Sequence, residues 1–238
     1  VDSNLSFASS VRDYSYENGR RYHAYRHGQY PFPNDEEEQA RLALMHHLFK
    51  LLSGGDLYRA PLTRNNNPSR ILDIGTGTAE WAIEMAEDFP TTTILGTDLS
   101  PIQPSWAPPN CRFFIDDAES DWAFSPAEAF DYIHARSLGG GIADWPRLLR
   151  QAYTHLKPGG WFEAQEFETW VLSDDGTHAR ATSILDWQDQ LNEASAQFGK
   201  PMNVASKLQG WLRDAGFVNT ADDKYKVSED RERSYFGQ

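Results

Sequence analysis

Apolar positions along this chain recur with two different periods, and the change between them organises everything else. Over residues 34–55 they return every three or four positions. Leu42, Met45, Leu48, Phe49 and Leu52 make one stripe of a helix, the spacing expected of 3.6 residues per turn. Asn34 is placed to cap it, Glu37 follows three positions on as in a capping box, acids fill the first turn, and Gly54-Gly55 ends it. Residues 1–20 show no clear period and read as an arm. Residues 61–68, with proline at both ends and three consecutive asparagines, read as a loop.

From Arg70 the pattern becomes short apolar runs alternating with helical ones. Strands are expected at 71–74, 93–97, 111–115, 130–135 and 161–167, and helices at 79–89 and 144–156. Lys157-Pro158-Gly159-Gly160 is expected to break the chain between the second helix and the last strand. Helices follow at 178–198 and 204–215, and Phe217-Val218 with 224–227 is a candidate sixth strand. Strands alternating with helices of this length imply an α/β fold, a doubly wound, mostly parallel sheet with right-handed crossovers. The expected organisation is an arm and helix over 1–69 that form part of a lid, a core over 70–227 with a helical insertion near 172–200, and a mostly charged segment over 228–238.

Chemistry enters at the first strand-to-helix turn, Asp73-Ile74-Gly75-Thr76-Gly77-Thr78. Glycines let a backbone approach a ligand, and the helix N-terminus offers free N–H groups. Such a turn is weak evidence alone. Asp98, about 20 residues on at the end of the second strand, strengthens it, because a carboxylate there can accept hydrogen bonds from both hydroxyls of a ribose. A dinucleotide site would want a third glycine at position 80, but Glu80 and bulky Trp81 stand there, and no GxxxxGK[ST] phosphate loop exists. A nucleoside cofactor without phosphates remains. Asp116-Asp117-Ala118 closes the third strand where an adenine would lie, with Asp117 the favoured partner of its exocyclic amine. Leu99 and Ile102 are candidate walls for the ring.

Composition adds limits. The net charge of −13 disfavours direct binding of nucleic-acid backbones. No apolar run approaches the roughly 18–20 residues of a membrane span. Cys111 is the only cysteine, so no intrachain disulfide forms, and a reducing compartment, cytoplasm or nucleus, is expected. The chain opens on Val rather than Met, so its start is expected to be trimmed. His23 and His27 have the i, i+4 spacing of a helical metal site, with His46-His47 further on, but no third convergent ligand supports them, and no metal is expected.

The segments ILDIGTGT (71–78), GTDLSPIQP (96–104), FFIDDAESDW (113–122), FDYIHAR (130–136) and LKPGGWFEAQE (156–166) together resemble class I S-adenosylmethionine methyltransferases. With the lead-in YHAYRHGQYPFPNDEEEQARL (22–42), the resemblance narrows to the LaeA-like fungal methyltransferases. It implies a Rossmann-like fold and S-adenosylmethionine as cofactor. Gly75, Thr76 and Gly77 would lie along its methionine part, Asp98 on the ribose, Asp116 to Ala118 at the adenine, and His134, Ala135 and Arg136 near the methionine and methyl group. Tyr22, Tyr25 and Tyr30 would fold over it as part of a lid. Two departures stand out: the antiparallel strand that usually completes this sheet is not legible, so the chain is expected either to be truncated or to lack a stretch after Val227, with 228–238 belonging further on, and no NPPY-type tetrapeptide follows the fourth strand.

Methyl transfer needs alignment and exclusion of water more than acid–base groups. Where a base is needed, His134 and Glu166 are the candidates, with Glu163 an alternative. Trp145, Trp170, Trp187 and Phe198 are equally suited to lining an acceptor pocket and to packing a core. The acceptor is expected to be a small molecule of fungal secondary metabolism or a protein. The alternative is a regulatory subunit that keeps the cofactor fold but works through velvet-type protein partners.

Overall fold

The computed structural model describes residues 14–62 and 67–227. The expected charged segment at 228–238 and part of the loop at 61–68 lie outside them. The arm is not irregular throughout. β1 (Ser15–Glu17) pairs antiparallel with β2 (Arg20–Tyr22) through Asn18-Gly19. Both turn residues have positive φ, 48° and 78°, the mirror-image turn that an Asn-Gly pair favours.

Helix α1 (Glu36–Leu52) is capped one residue later than expected. The side chain of Asp35, not Asn34, accepts the Glu38 N–H at 3.0 Å. Arg20 grips the same carboxylate through Nε at 2.6 Å and Nη2 at 2.9 Å, fixing it over the helix end. Asn34 turns inward instead, its amide donating to Ser100 Oγ at 3.3 Å. The apolar stripe of α1 is only half-buried, and its fully buried positions are Glu38 and His46.

The central sheet has five parallel strands in the order β5-β4-β3-β6-β7. These are β3 (Arg70–Ile74), β4 (Thr93–Asp98), β5 (Cys111–Ile115), β6 (Phe130–Arg136) and β7 (Leu156–Gln165). Helices α2 (Glu80–Asp88) and α3 (Trp145–His155) fall on the expected segments. Lys157 to Gly160 do not separate helix from strand. They form an irregularity inside β7, whose pairing moves from Phe130–Leu156 to Tyr132–Trp161, and the Lys157 ammonium is held by Asp131 at 2.8 Å.

Two apolar layers follow from strand alternation. Ile71, Ile94 and Tyr132 meet Trp81, Met85 and Phe89 of α2 on one face. Leu72, Ile74, Leu95 and Ile133 meet Trp145, Leu148 and Ala152 of α3 on the other, with Leu208 of α5 (Ala205–Asp214). Trp145 is therefore core, whereas Trp170, Trp187 and Phe198 remain partly exposed. The expected helix at 178–198 divides at Ala181 into a 3-10 turn and α4 (Thr182–Gln197). The expected sixth strand is absent among the described residues. Val218 and Tyr225 are exposed, and Phe217 instead packs edge-on against Tyr153 at 5.2 Å.

Candidate active site

Strand order reverses between β3 and β6, and in open α/β sheets the crevice beyond the strand C-termini at that point is where ligands settle. Here β3 runs out through Gly75-Thr76-Gly77-Thr78-Ala79 into α2. Gly75, Gly77 and Ala79 all have positive φ, at 66°, 57° and 71°. The left-handed φ of Gly75 favours glycine there, and a Cβ would press on the end of the Leu138 side chain. The third left-handed position is thus Ala79 rather than residue 80. Glu80 begins the helix and takes a hydrogen bond from the Thr78 hydroxyl. Thr76 ties the turn to the sheet: its N–H donates to Thr97 O at 2.9 Å and its hydroxyl to Asp73 Oδ2 at 2.7 Å.

Asp98 ends β4 beside this turn. Its Oδ2 accepts the Gly77 N–H and its Oδ1 the Ser100 N–H, both at 2.8 Å. Burial pushes the carboxyl up to about 6, against these two donors. Gln103 closes the ring, its amide donating to Gly77 O at 2.8 Å and Ser100 O at 2.9 Å. Leu99 and Ile102, in the same loop, are half-buried.

At the end of β5, Asp116 is exposed and accepts the Asp117 N–H. Asp117 is less exposed: Oδ1 accepts the Glu119 N–H at 2.9 Å, and Oδ2 lies 3.2 Å from the Arg26 guanidinium. A small cleft beside them is lined by Leu72, Thr97, Asp116, Asp117, Ala118 and Trp122, among others.

The remaining candidates lie at the ends of β6 and β7. His134 is fully buried, stacked on Trp81 with ring centres 3.7 Å apart, and its Nδ1 meets Asp73 Oδ1 at 2.7 Å. Its Nε2 has no hydrogen-bond partner among the described residues. Ala135 is core. Arg136 reaches His46 Nδ1 at 2.9 Å and lies over the Phe49 ring. Glu166 accepts Leu138 N–H at 2.6 Å and Gly139 N–H at 3.1 Å, and burial pushes its carboxyl up to about 7. Glu163 faces elsewhere, accepting Ala60 N–H and the Tyr132 hydroxyl.

The arm meets this region through several side chains. Tyr30 packs edge-on to His23 and Phe32 and lies where a side chain on Gly141 would stand, and burial pushes its phenol well up. Tyr22 sits on β2, away from these contacts. His23 and His27 are not on a helix, so their spacing has no shared face. From the other side Lys200 bonds Gly141 O at 2.7 Å and Glu119 at 2.9 Å. Sequence reasoning assigned no role to Asp73 or Leu138. Asp73, inside the glycine motif, was visible as a polar residue in an apolar strand; Leu138 carried no signal.

A family model described as a methyltransferase domain matches residues 42–222. Methyltransferase pytC of Aspergillus terreus is 45% identical over 223 residues, covering 93% of this chain and 68% of that protein. The secondary metabolism regulator laeA of Aspergillus flavus is 40% identical, covering 92% of this chain and 59% of its own length. The protein-methionine methyltransferase laeA of Emericella nidulans is also 40% identical, over 85% of this chain and 54% of that protein. Among solved structures, the complex of a Haloferax volcanii Trm112 methyltransferase activator with its putative methyltransferase superposes with a TM-score of 0.53 at 18% identity, covering 76% of this chain and 73% of that one. PigF with S-adenosylhomocysteine gives 0.50 at 17%, over 78% and 55%. The chain belongs to the LaeA-like family of fungal, class I, S-adenosylmethionine-dependent methyltransferases.

Proposed function

We propose that the crevice over β3, β4 and β6 holds S-adenosylmethionine and brings its methyl group to an acceptor under the arm. The observation that carries this is Asp98: a half-buried carboxylate fixed by Gly77 and Ser100 beside a turn whose left-handed Gly75 and Gly77 leave the backbone bare. A carboxylate so fixed is ready to take the two ribose hydroxyls without reorganising. In this reading Gly75, Thr76 and Gly77 border the methionine end. Asp117, with Asp116, Ala118, Leu99 and Ile102, borders the adenine. Ala135 and Arg136 flank the methionine, and Tyr30, with Tyr22 further out, belongs to the roof.

The bound cofactor supplies an activated sulfonium methyl; the chain's task is to align the acceptor and exclude water. His134, enclosed by Trp81 and Asp73, serves in this reading as a positioning residue rather than a base. Glu166 is the titratable group assigned to an acceptor that arrives protonated. Isothermal titration should show S-adenosylmethionine binding that collapses on Asp98→Ala, and unchanged binding in that variant would sink the assignment.

The acceptor class we propose is a small molecule of secondary metabolism or a protein side chain. The 40% identity to a secondary metabolism regulator favours one second reading, a cofactor-binding regulator in cytoplasm or nucleus that acts through velvet-type partners. The charge of −13 would suit basic ones. Incubation with methyl-labelled cofactor and fungal extract separates the two: sustained transfer to an extract component favours the enzyme, and none favours the regulator. Among the described residues no helix is long and apolar enough to cross a membrane.

A further inference from the structure

Helix α4 holds on to the molecule by polar residues and turns apolar ones to solvent. Gln188 is its one buried residue, and its amide donates to Thr169 O at 2.8 Å. Asn192 Oδ1 accepts from the Asn203 amide and Ser195 Oγ from the Met202 N–H, both at 3.3 Å. These three stand at i, i+4 and i+7, on one face of the helix.

Ile184, Trp187, Leu191, Ala194 and Phe198 advance by alternating steps of three and four, the a and d positions of two heptads. Phe198, at the C-cap, keeps helical φ and ψ, so the row runs unbroken for about 21 Å. Ile184 is 44% exposed, Trp187 56% and Phe198 45%, and Leu191 is half-buried. A surface helix ordinarily faces such a row to the core. Here two amides and a hydroxyl take the inward side, and the row has the spacing by which one helix seats another.

Charge decides what lies on it. The ionisable side chains of α4 are Asp186, Asp189 and Glu193, all exposed, and the helix contains no Lys or Arg. Every point of the row is within about 10–12 Å of these acids, one helix diameter and close to a Debye length at physiological salt. A two-fold pair sets the same patch against itself, so a second copy would bring acids towards acids. An anionic membrane surface would meet the same repulsion. A helix with an apolar stripe and Lys or Arg flanks is attracted on both counts. We propose that the row Ile184, Trp187, Leu191 and Phe198 is a docking seam for a basic amphipathic helix of a partner protein. The seam is independent of the cofactor site proposed above and holds for an enzyme or a regulator alike.

The test uses the full chain and a labelled synthetic peptide of about 18 residues, with leucines at a and d and lysines on the flanks. One control peptide carries glutamates in place of the lysines, and another has the same residues scrambled. Fluorescence anisotropy should show that the leucine–lysine helix binds, less tightly as salt rises, and that neither control does. Trp187→Ser should weaken binding about 10- to 30-fold, as loss of an aromatic anchor does. The triple variant D186N, D189N, E193Q should weaken it about 3- to 10-fold and flatten its salt dependence. These side chains are exposed, so thermal melts should match wild type; if Trp187→Ser fails to fold, Ile184→Ser tests the same row. No binding of the leucine–lysine helix, equal binding of the scrambled peptide, or binding that neither the row nor the acid variants weaken would each overturn the proposal. So would light scattering that finds a dimer dissolved by Trp187→Ser, or phosphatidylserine vesicles that retain wild type but not that variant, because the seam would then belong to a second copy or to a membrane.

Discussion

Glu166 shows how a single position changes meaning between sequence and structure. In the sequence it is one of two acids at a strand end. In the fold it is half-buried against two backbone N–H groups, and desolvation pushes its carboxyl up to about 7 from 4.5. The folded protein therefore keeps a proton between those values that the unfolded chain releases, and this contribution to stability falls as pH rises through the window. Asp98, raised from 3.8 to about 6, acts in the same direction. Urea denaturation at pH 5 and pH 8 should show that Glu166→Gln flattens the decline by about 1–3 kcal/mol; an unaltered slope would mean that Glu166 does not titrate there. His134 is a similar case. Its type suggested a base, but only the packing of α2 on the sheet revealed that Trp81 and Asp73 enclose it. Arg136 lies against His46 and Phe49 of α1, contacts between segments 90 positions apart that no local pattern announces.

At the scale of elements, what the sequence made legible was the strands and helices with strong periods. Cys111–Ile115 matched to the residue, because an apolar run bounded by turn residues has one reading. Caps and breaks were less legible. Asn34 and Asp35 are both good caps, and the choice fell to Asp35 through the Arg20 contact from a hairpin 15 positions earlier. Asp35→Ala removes both the cap and that ion pair, so it should lower Tm by about 2–8 °C in a thermal melt; an unchanged melt would show that the hairpin does not brace α1. The hairpin itself carried a clear signal, Asn18-Gly19, in a segment whose flanks lack alternation. Lys157 to Gly160 read as a break because proline and glycine punctuate chains, but an edge strand tolerates them where its pairing is irregular.

At the scale of the molecule, two pieces distant in sequence close on one turn. Arg26 of the arm reaches Asp117 at 3.2 Å and the Ser120 hydroxyl at 3.0 Å, and Lys200 reaches Glu119 at 2.9 Å. The turn at 117–120 thus anchors both the arm and the segment at Lys200, the two sides of the roof proposed above. The double variant Arg26→Gln, Lys200→Gln should be cut faster by trypsin at Arg20 and Arg21 than wild type, and added S-adenosylhomocysteine should slow that cleavage; equal rates would show that these contacts do not hold the roof. By itself the sequence determined the alternation of strands and helices, the glycine turn and the acid one strand later, because period, turn chemistry and spacing are local properties of a chain. Only the tertiary structure decided which polar residues face the crevice and which are sealed beneath α2. Burial and pairing depend on neighbours brought together from across the chain, which local patterns do not encode.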